Sequence, residues 1–237
     1  NNYGIEGGDD IEAITVDDKR FSREMLTRPL PLEQIETAIK LRQKIKKRIL
    51  CKLMGNHELA LWRFGDITEK ICKELEVDYG TWSTKLNIKT QDGKLMYKIF
   101  ETHGHKNITS TADDPKRRRV NMQLILKRQL KFKAGDCAVM VKHHTHKLLV
   151  CKPEQELYLT DNGKVIKQAY TSYGQREEYI HPDARWYGNA GSFLKLYGKD
   201  ISGYAERNEY DPVELGFLIL VVRDRKIVEL KVHRLDI

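Results

Sequence analysis

The chain has 237 residues, 40% of them hydrophobic, which suits one globular domain with a sizeable core and excludes a disordered or fibrous protein. Its longest apolar run, Phe217 to Val222, is too short to span a bilayer, so no membrane partner is expected. The net charge of +8 favours anionic ligands, and the excess crowds one stretch that holds Lys116, Arg117, Arg118, Arg119, Lys127, Arg128, Lys131 and Lys133.

The first ten residues read as a strand running into a glycine turn at Gly7-Gly8-Asp9-Asp10, with a further strand expected upstream of Asn1. Pro29 and Pro31 mark a turn, and Ile35, Ile39, Leu41, Ile45 and Ile49 recur at helical spacing, which predicts an amphipathic helix over 32–49. A short strand over 50–54 follows, and Asp66 with Glu69 predicts a capping box for a helix through Leu75. Strand-like runs over 81–88 and 95–102 are joined through Asp92-Gly93, a hairpin signal. Asp114 as cap and Pro115 at the first helical position open a basic helix to about Phe132. Strands are then predicted over 137–141, 157–160, 165–170, 192–196, 215–222 and 227–232. This order predicts an α/β domain with two packed mixed sheets flanked by helices, a four-layer α/β/β/α sandwich.

The four cysteines, Cys51, Cys72, Cys137 and Cys151, form no CxxC pair and read as ordinary thiols in a reducing cytoplasm. Trp62, Trp82 and Trp186, with the tyrosines from Tyr170 to Tyr204, read as core and loop packing rather than a base-stacking platform. His105 and His181 read as surface residues.

Polar residues able to do chemistry gather at four predicted strand ends: Gly8-Asp9, Gly55-Asn56-His57-Glu58, His103-Gly104 and His144-Thr145-His146. Each alone has an ordinary reading. Asp beside glycine makes a turn, Asn56 could cap a helix starting near Glu58, and a lone His103 could be a satisfied polar side chain. His144 and His146 are two apart, and on extended backbone they would present two imidazoles to one point. Their succession at strand ends is what one fold could bring together.

In that order, Gly8-Asp9-x-x-Glu12, Gly55-Asn56-His57-Glu58, His103-Gly104 and His144-Thr145-His146 resemble the second to fifth motifs of the calcineurin-like metallophosphoesterases. The segments Ala190-Gly191-Ser192-Phe193 and Pro212-Val213-Glu214-Leu215-Gly216 resemble the late part of phage-type and prokaryotic members. The resemblance implies a single metallophosphoesterase domain over 1–237 that lacks its N-terminal strand and hydrolyses phosphate esters with two divalent metal ions, as a phosphodiesterase or phosphatase with nucleic acid or nucleotides among the candidate substrates. It assigns Asp9 as the bridge between the metals, Asn56, His103 and His144 to one metal, and His146 to the other. Mixed oxygen and nitrogen ligands suit Mn²⁺, Fe or Zn²⁺. His57 is implied as general acid for the leaving alkoxide, with Glu58 orienting it.

Two departures stand out. The first family motif, Asp-x-His, occurs nowhere before Gly8, so this chain supplies only Asp9 and His146 to the second metal and reads as half-built. His143 replaces the glycine usual before His144, and its ring is expected to point away from the ligands. The alternatives are a non-catalytic nucleic-acid-binding module that keeps the fold, and a structural remnant with one metal or none. Asn189, Gly191 and Ser192 are further candidates to line the cleft.

Overall fold

The computed structural model describes residues 2–18, 21, 30–172, 174–175, 178–198 and 204–236, with the Tyr204 side chain left out. Asn1, Pro29 and Tyr173 and the side chain of Tyr204, all used in the sequence reading, lie outside the described residues.

Five strands form a central mixed sheet: β3 (Ser83–Lys89), β4 (Leu95–Thr102), β5 (Val139–Lys142), β9 (Trp186–Ala190) and β6 (Leu148–Cys151), in the spatial order β3-β4-β5-β9-β6. β3 and β4 are the antiparallel hairpin expected from Asp92-Gly93. β4, β5 and β9 run parallel, and β6 closes the sheet antiparallel to β9. The parallel β4–β5 step needs a crossover, which α4 (Pro115–Leu130) supplies. The Asp114 carboxylate caps that helix by accepting from the Arg117 N–H at 2.7 Å.

All four residues of β5 are buried, as befits a strand covered on both faces. On one face Val139 and Val141 join Tyr97, Ile99 and Leu230 in a core that also takes Ile5, Leu218, Leu220 and Ile227. These last come from β1 (Gly4–Glu6) and from the hairpin of β10 (Gly216–Arg223) and β11 (Lys226–Arg234). On the other face Met140, Leu149 and Tyr187 pack with Leu126 and Leu130 of α4.

β1 pairs in parallel with β2 (Ile49–Lys52) in a sheet of two strands. A third core lies where α1 (Pro31–Gln43) and α3 (Ile67–Leu75) meet the chain following β1, through Ile35, Ile71, Leu75, Ile11 and Ala13. Further elements among the described residues are the short helices α2 (Asn56–Ala60) and α5 (Tyr204–Arg207) and the hairpin β7 (Leu157–Asp161) and β8 (Ile166–Tyr170). The observed class is thus mixed α/β, with one five-stranded sheet, smaller sheets and helices. Among the described residues, no helix is long and apolar enough to cross a membrane, and all four cysteines are free thiols.

Several expectations need correction. The helix predicted to Ile49 stops at Gln43; Leu41 is exposed, Ile45 precedes a short 3₁₀ turn at Lys46–Arg48, and Ile49 already belongs to β2. A repeating apolar pattern cannot tell a continuing helix from a turn that enters a strand. The strand predicted over 192–196 is a single bridge between Ser192 and Leu215, and the true strand is β9 just before it. β6 and β9 escaped the sequence reading because four or five residues carry too little pattern. Asp66 does cap α3, accepting from Glu69 N–H at 2.9 Å, but the Glu69 carboxylate pairs with Lys73 one turn on rather than completing a box. Trp186 packs on the core as expected, while Trp62, Tyr170 and Tyr179 are exposed.

Candidate metal centre

The four motif-bearing loops follow the C-terminal ends of β1, β2, β4 and β5, parallel strands whose polar ends converge on one side of the molecule. Two of these loops touch backbone to side chain. A Cβ on Gly55 would collide with the Asp9 carboxylate and backbone, so glycine permits the approach of the loop after β2 to the loop after β1. Glu58 then clamps the pair. Its carboxylate accepts from the Gly55 N–H at 3.1 Å, the Asp9 N–H at 3.1 Å and the Asp10 N–H at 2.6 Å, all with the side chain buried. Burial, with the charge of Asp10 adding, pushes the Glu58 carboxyl up against these bonds.

Glu58 is therefore committed to the backbone, and the role expected for it, orienting His57, falls to another group. The Ile11 carbonyl stands 3.0 Å from His57 Nδ1, and a carbonyl can only accept, so the proton is fixed on Nδ1. Nε2 is left as the nitrogen that can exchange a proton.

Asp9 sits at φ 59°, a left-handed conformation that aspartate tolerates better than most residues. One carboxylate oxygen accepts from the His57 N–H at 3.0 Å, while the other lies 3.4 Å from His103 Nε2. Asn56 Oδ1 is 3.0 Å from the same Nε2 and 2.7 Å from His144 Nδ1. The second nitrogen of His103 is already spoken for: Nδ1 lies 2.6 Å from the Gly7 carbonyl and must donate to it. Neutral His103 would then aim a lone pair at two oxygen acceptors. A cation relieves that clash, either a second proton on His103 or a metal ion among the ligands.

The electrostatics agree with this arrangement. Burial pushes Asp9 up, but the hydrogen bond and charge of His103 outweigh it and hold the carboxyl at about 2. Burial pulls His103 down, and Asp9 more than reverses it. Burial and the neighbouring His103 lower His144 to about 4, and burial also lowers His146. Depressed imidazoles keep their lone pairs at neutral pH, the form that ligates metals.

Asp9, His103 and His144 bring one ligand atom each within 4.8 Å of one another, and Asn56 joins them through its oxygen. His57 and His146 line the same cavity, of about 410 Å³. His146 contributes to its wall but not to the tight cluster. His144 and His146 reach the cavity by a different route from the one expected: both have positive φ, 71° and 51°, so the segment is a tight loop and not extended. Asn189, fully buried, holds that loop from beneath, accepting from the Thr145 hydroxyl at 2.9 Å and donating to the Lys147 carbonyl at 2.6 Å. Asn189 thus supports the site, whereas Gly191 and Ser192 line it.

His143 turns its Nε2 to Glu101 Oε2 at 3.1 Å and rests against Gly7, while it also lines the cavity. The missing side chain at Gly7 makes room for a histidine ring. His105 is exposed, yet its ring lies 5.1 Å from that of His144 and 5.2 Å from that of Trp82, so it borders the site. The two-residue spacing His103-x-His105 was the signal for it.

The chain matches no model of a known protein family and no curated protein. The reading of the centre rests on its geometry. A second group of possible ligands, Glu156, His181 and Asp183, lies at the surface, and there the Lys127 ammonium already pairs with Asp183.

Proposed function

We propose that this chain is a metal-dependent hydrolase of phosphate esters of the calcineurin-like metallophosphoesterase type, using a dinuclear centre of divalent ions, with Mn²⁺ preferred and Fe or Zn²⁺ as alternatives. The observation that carries it is the convergence of Asp9 and Asn56 on His103 Nε2, with His144 Nδ1 on the same Asn56 oxygen and His103 Nδ1 held by a backbone carbonyl. A histidine fixed in this way by its far nitrogen is the usual arrangement at a metal. Asp9, Asn56, His103 and His144 would hold one ion, and Asp9 with His146 would serve the other. Bound there, divalent ions would neutralise the anionic ester and lower the pKa of attacking water.

As an imidazolium, His57 would give a proton from Nε2 to the departing alkoxide and keep the other on Nδ1, where the Ile11 carbonyl holds it. Glu58 would keep the loops carrying Asp9 and Asn56 in register. The packing of α1 and α3 beside β1, of β1 and the β10–β11 hairpin on one face of the central sheet, and of α4 on the other supports a single domain built as a four-layer α/β/β/α sandwich. Free thiols fit a reducing compartment such as the cytoplasm.

The test is hydrolysis of an aryl phosphodiester with added Mn²⁺, using protein expressed from the whole reading frame. Turnover should require the metal, and Asn56→Ala should remove both bound Mn²⁺ and activity. His57→Ala should keep the metal and lose roughly 10² to 10⁴ in rate, most for poor leaving groups. Metal-loaded protein without turnover would favour a nucleic-acid-binding module, the reading that the exposed Lys116 and Arg117 at the start of α4 support. In that case affinity for single strands should fall steeply with salt.

A further inference from the structure

The cavity that holds the histidines has a second wall of different chemistry. Opposite in character to Asp9, His57 and His146, it is made by Ser192, Phe193, Leu194 and Phe217 from the segment after β9 and the start of β10. Phe193 is 70% exposed, which is costly for a ring of this size in water unless something covers it. Its backbone is nevertheless secured: Ser192 bridges Leu215, the Ser192 carbonyl accepts from the Gly216 N–H at 2.9 Å, and the Ser192 hydroxyl accepts from the Leu194 N–H at 2.9 Å.

The ring itself is also backed. Phe193 stacks on Phe217 with centroids 6.0 Å apart and planes inclined by 26°, and Phe217 in turn meets His233 at 4.7 Å. Three rings in series therefore present one open aromatic face in the lining of the cavity that also holds the candidate metal ligands. A deep aliphatic slot would suit an acyl or alkyl chain. A single flat, supported ring beside open solvent suits a flat ligand whose edges stay hydrated.

We infer that Phe193, braced by Phe217 and His233, is a stacking platform for the nucleobase of a nucleotide-type phosphate ester. The inference rests on the phosphoesterase reading, since the phosphoryl group is taken to lie at the histidine wall while the base lies on Phe193. The cavity volume of about 410 Å³ is in the range of small-ligand sites. A free nucleotide and the terminal base of a single strand offer the same chemistry to this surface.

The experiment compares the binding of adenosine 5′-monophosphate and ribose 5-phosphate, by calorimetry, with and without Mn²⁺, in the wild-type protein, Phe193→Ala and Phe193→Trp. The two ligands share the phosphate and differ by the base. The wild type should bind the nucleotide roughly ten-fold or more tighter, the scale of one base–aromatic stack. Phe193→Ala should erase that ratio while leaving ribose 5-phosphate unchanged, and Phe193→Trp should keep it. Equal affinity of the two ligands in the wild type, or equal weakening of both by Phe193→Ala, would overturn the platform. Mn²⁺-dependent binding of both ligands with no base preference would remove the platform and spare the phosphoesterase reading. A base preference that persists without any Mn²⁺ dependence would do the reverse, and no binding of either ligand would remove both. A gain that saturates with the mononucleotide assigns the platform to one base, and a further gain with a short single strand assigns it to a strand end.

Discussion

Two groups of charged residues in this protein behave in opposite ways. The basic stretch along α4 and just past it puts eight of the 42 lysines and arginines between positions 116 and 133, yet its members mostly face solvent or serve local contacts. Arg118 donates to the Ala112 and Asp113 carbonyls, and Lys131 lies over the Phe132 ring. The other group holds four residues scattered over the first 52 positions: Glu6, Asp10, Arg42 and Lys52. Lys52 is fully buried and pairs with Glu6 at 2.7 Å and with Asp10, while Arg42 pairs with Glu6 at 2.7 Å and Asp10 at 2.5 Å. Two acids and two bases cancel there. Burial disfavours the Lys52 ammonium, and the charges of Asp10 and Glu6 more than restore it. This network ties β1, β2, α1 and the residue after Asp9 together beside the candidate centre, and Glu6, Asp10 and Arg42 line the same cavity. The density of charge in a sequence therefore says little about where charge holds the fold.

The sharpest way to break that contrast is Lys52→Met, which leaves Glu6 and Asp10 short of a buried partner. We expect a loss of about 3–5 kcal/mol in urea unfolding. A loss below about 1 kcal/mol would mean that Arg42 and water balance the two acids without Lys52.

An intermediate case is Asp136, which accepts from Lys98 Nζ at 2.6 Å and from Lys85 Nζ at 3.1 Å near the sheet's edge. The hydrogen bond from Lys98 is the main reason its carboxyl is held down at about 2 from an ordinary 3.8. A carboxyl depressed on folding stabilises fully above its unfolded pKa, and that contribution fades as pH falls towards 2. Partly exposed beside Lys85, and so partly screened by solvent, it should contribute about 1 kcal/mol or less. Asp136→Asn should remove this part of the slope of stability with pH between about 4 and 2, measured by denaturation at fixed pH steps. An unchanged slope would assign the acid sensitivity elsewhere.

The smallest effect is expected in α4. Replacing Lys116 and Arg117 by Ala should change stability by no more than about 0.5 kcal/mol, the range of surface substitutions. The pair should matter only for the binding of polyanions, seen as a shallower dependence on salt. A stability loss comparable to that of Lys52→Met would erase the distinction between the two groups.

Much of the local structure was legible in the sequence. Asp66 and Asp114 announced the starts of α3 and α4, because a cap acts through a hydrogen bond to a residue three positions on. Asp92-Gly93 announced the β3–β4 hairpin for a similar reason. The order of Asp9, Asn56, His103 and His144 at strand ends was also readable. The role of Glu58 was not, because an acid beside a histidine in sequence need not touch it in space. Its partners Asp9 and Asp10 are 49 and 48 residues away.

What the sequence determined by itself, then, was the set of elements whose signals act within a turn or two of chain, and the residue types gathered at their ends. Tertiary structure alone decided that β9 enters between β5 and β6, that Lys52 is buried among acids, and that the exposed Phe193 shares a cavity with the histidines. It also decided that Gly7 and His103, 96 residues apart, share the hydrogen bond that orients the centre. The physical reason is range. Caps and turns are fixed by local dihedral angles and neighbouring hydrogen bonds, whereas strand order, burial and convergence depend on which distant surfaces exclude water together.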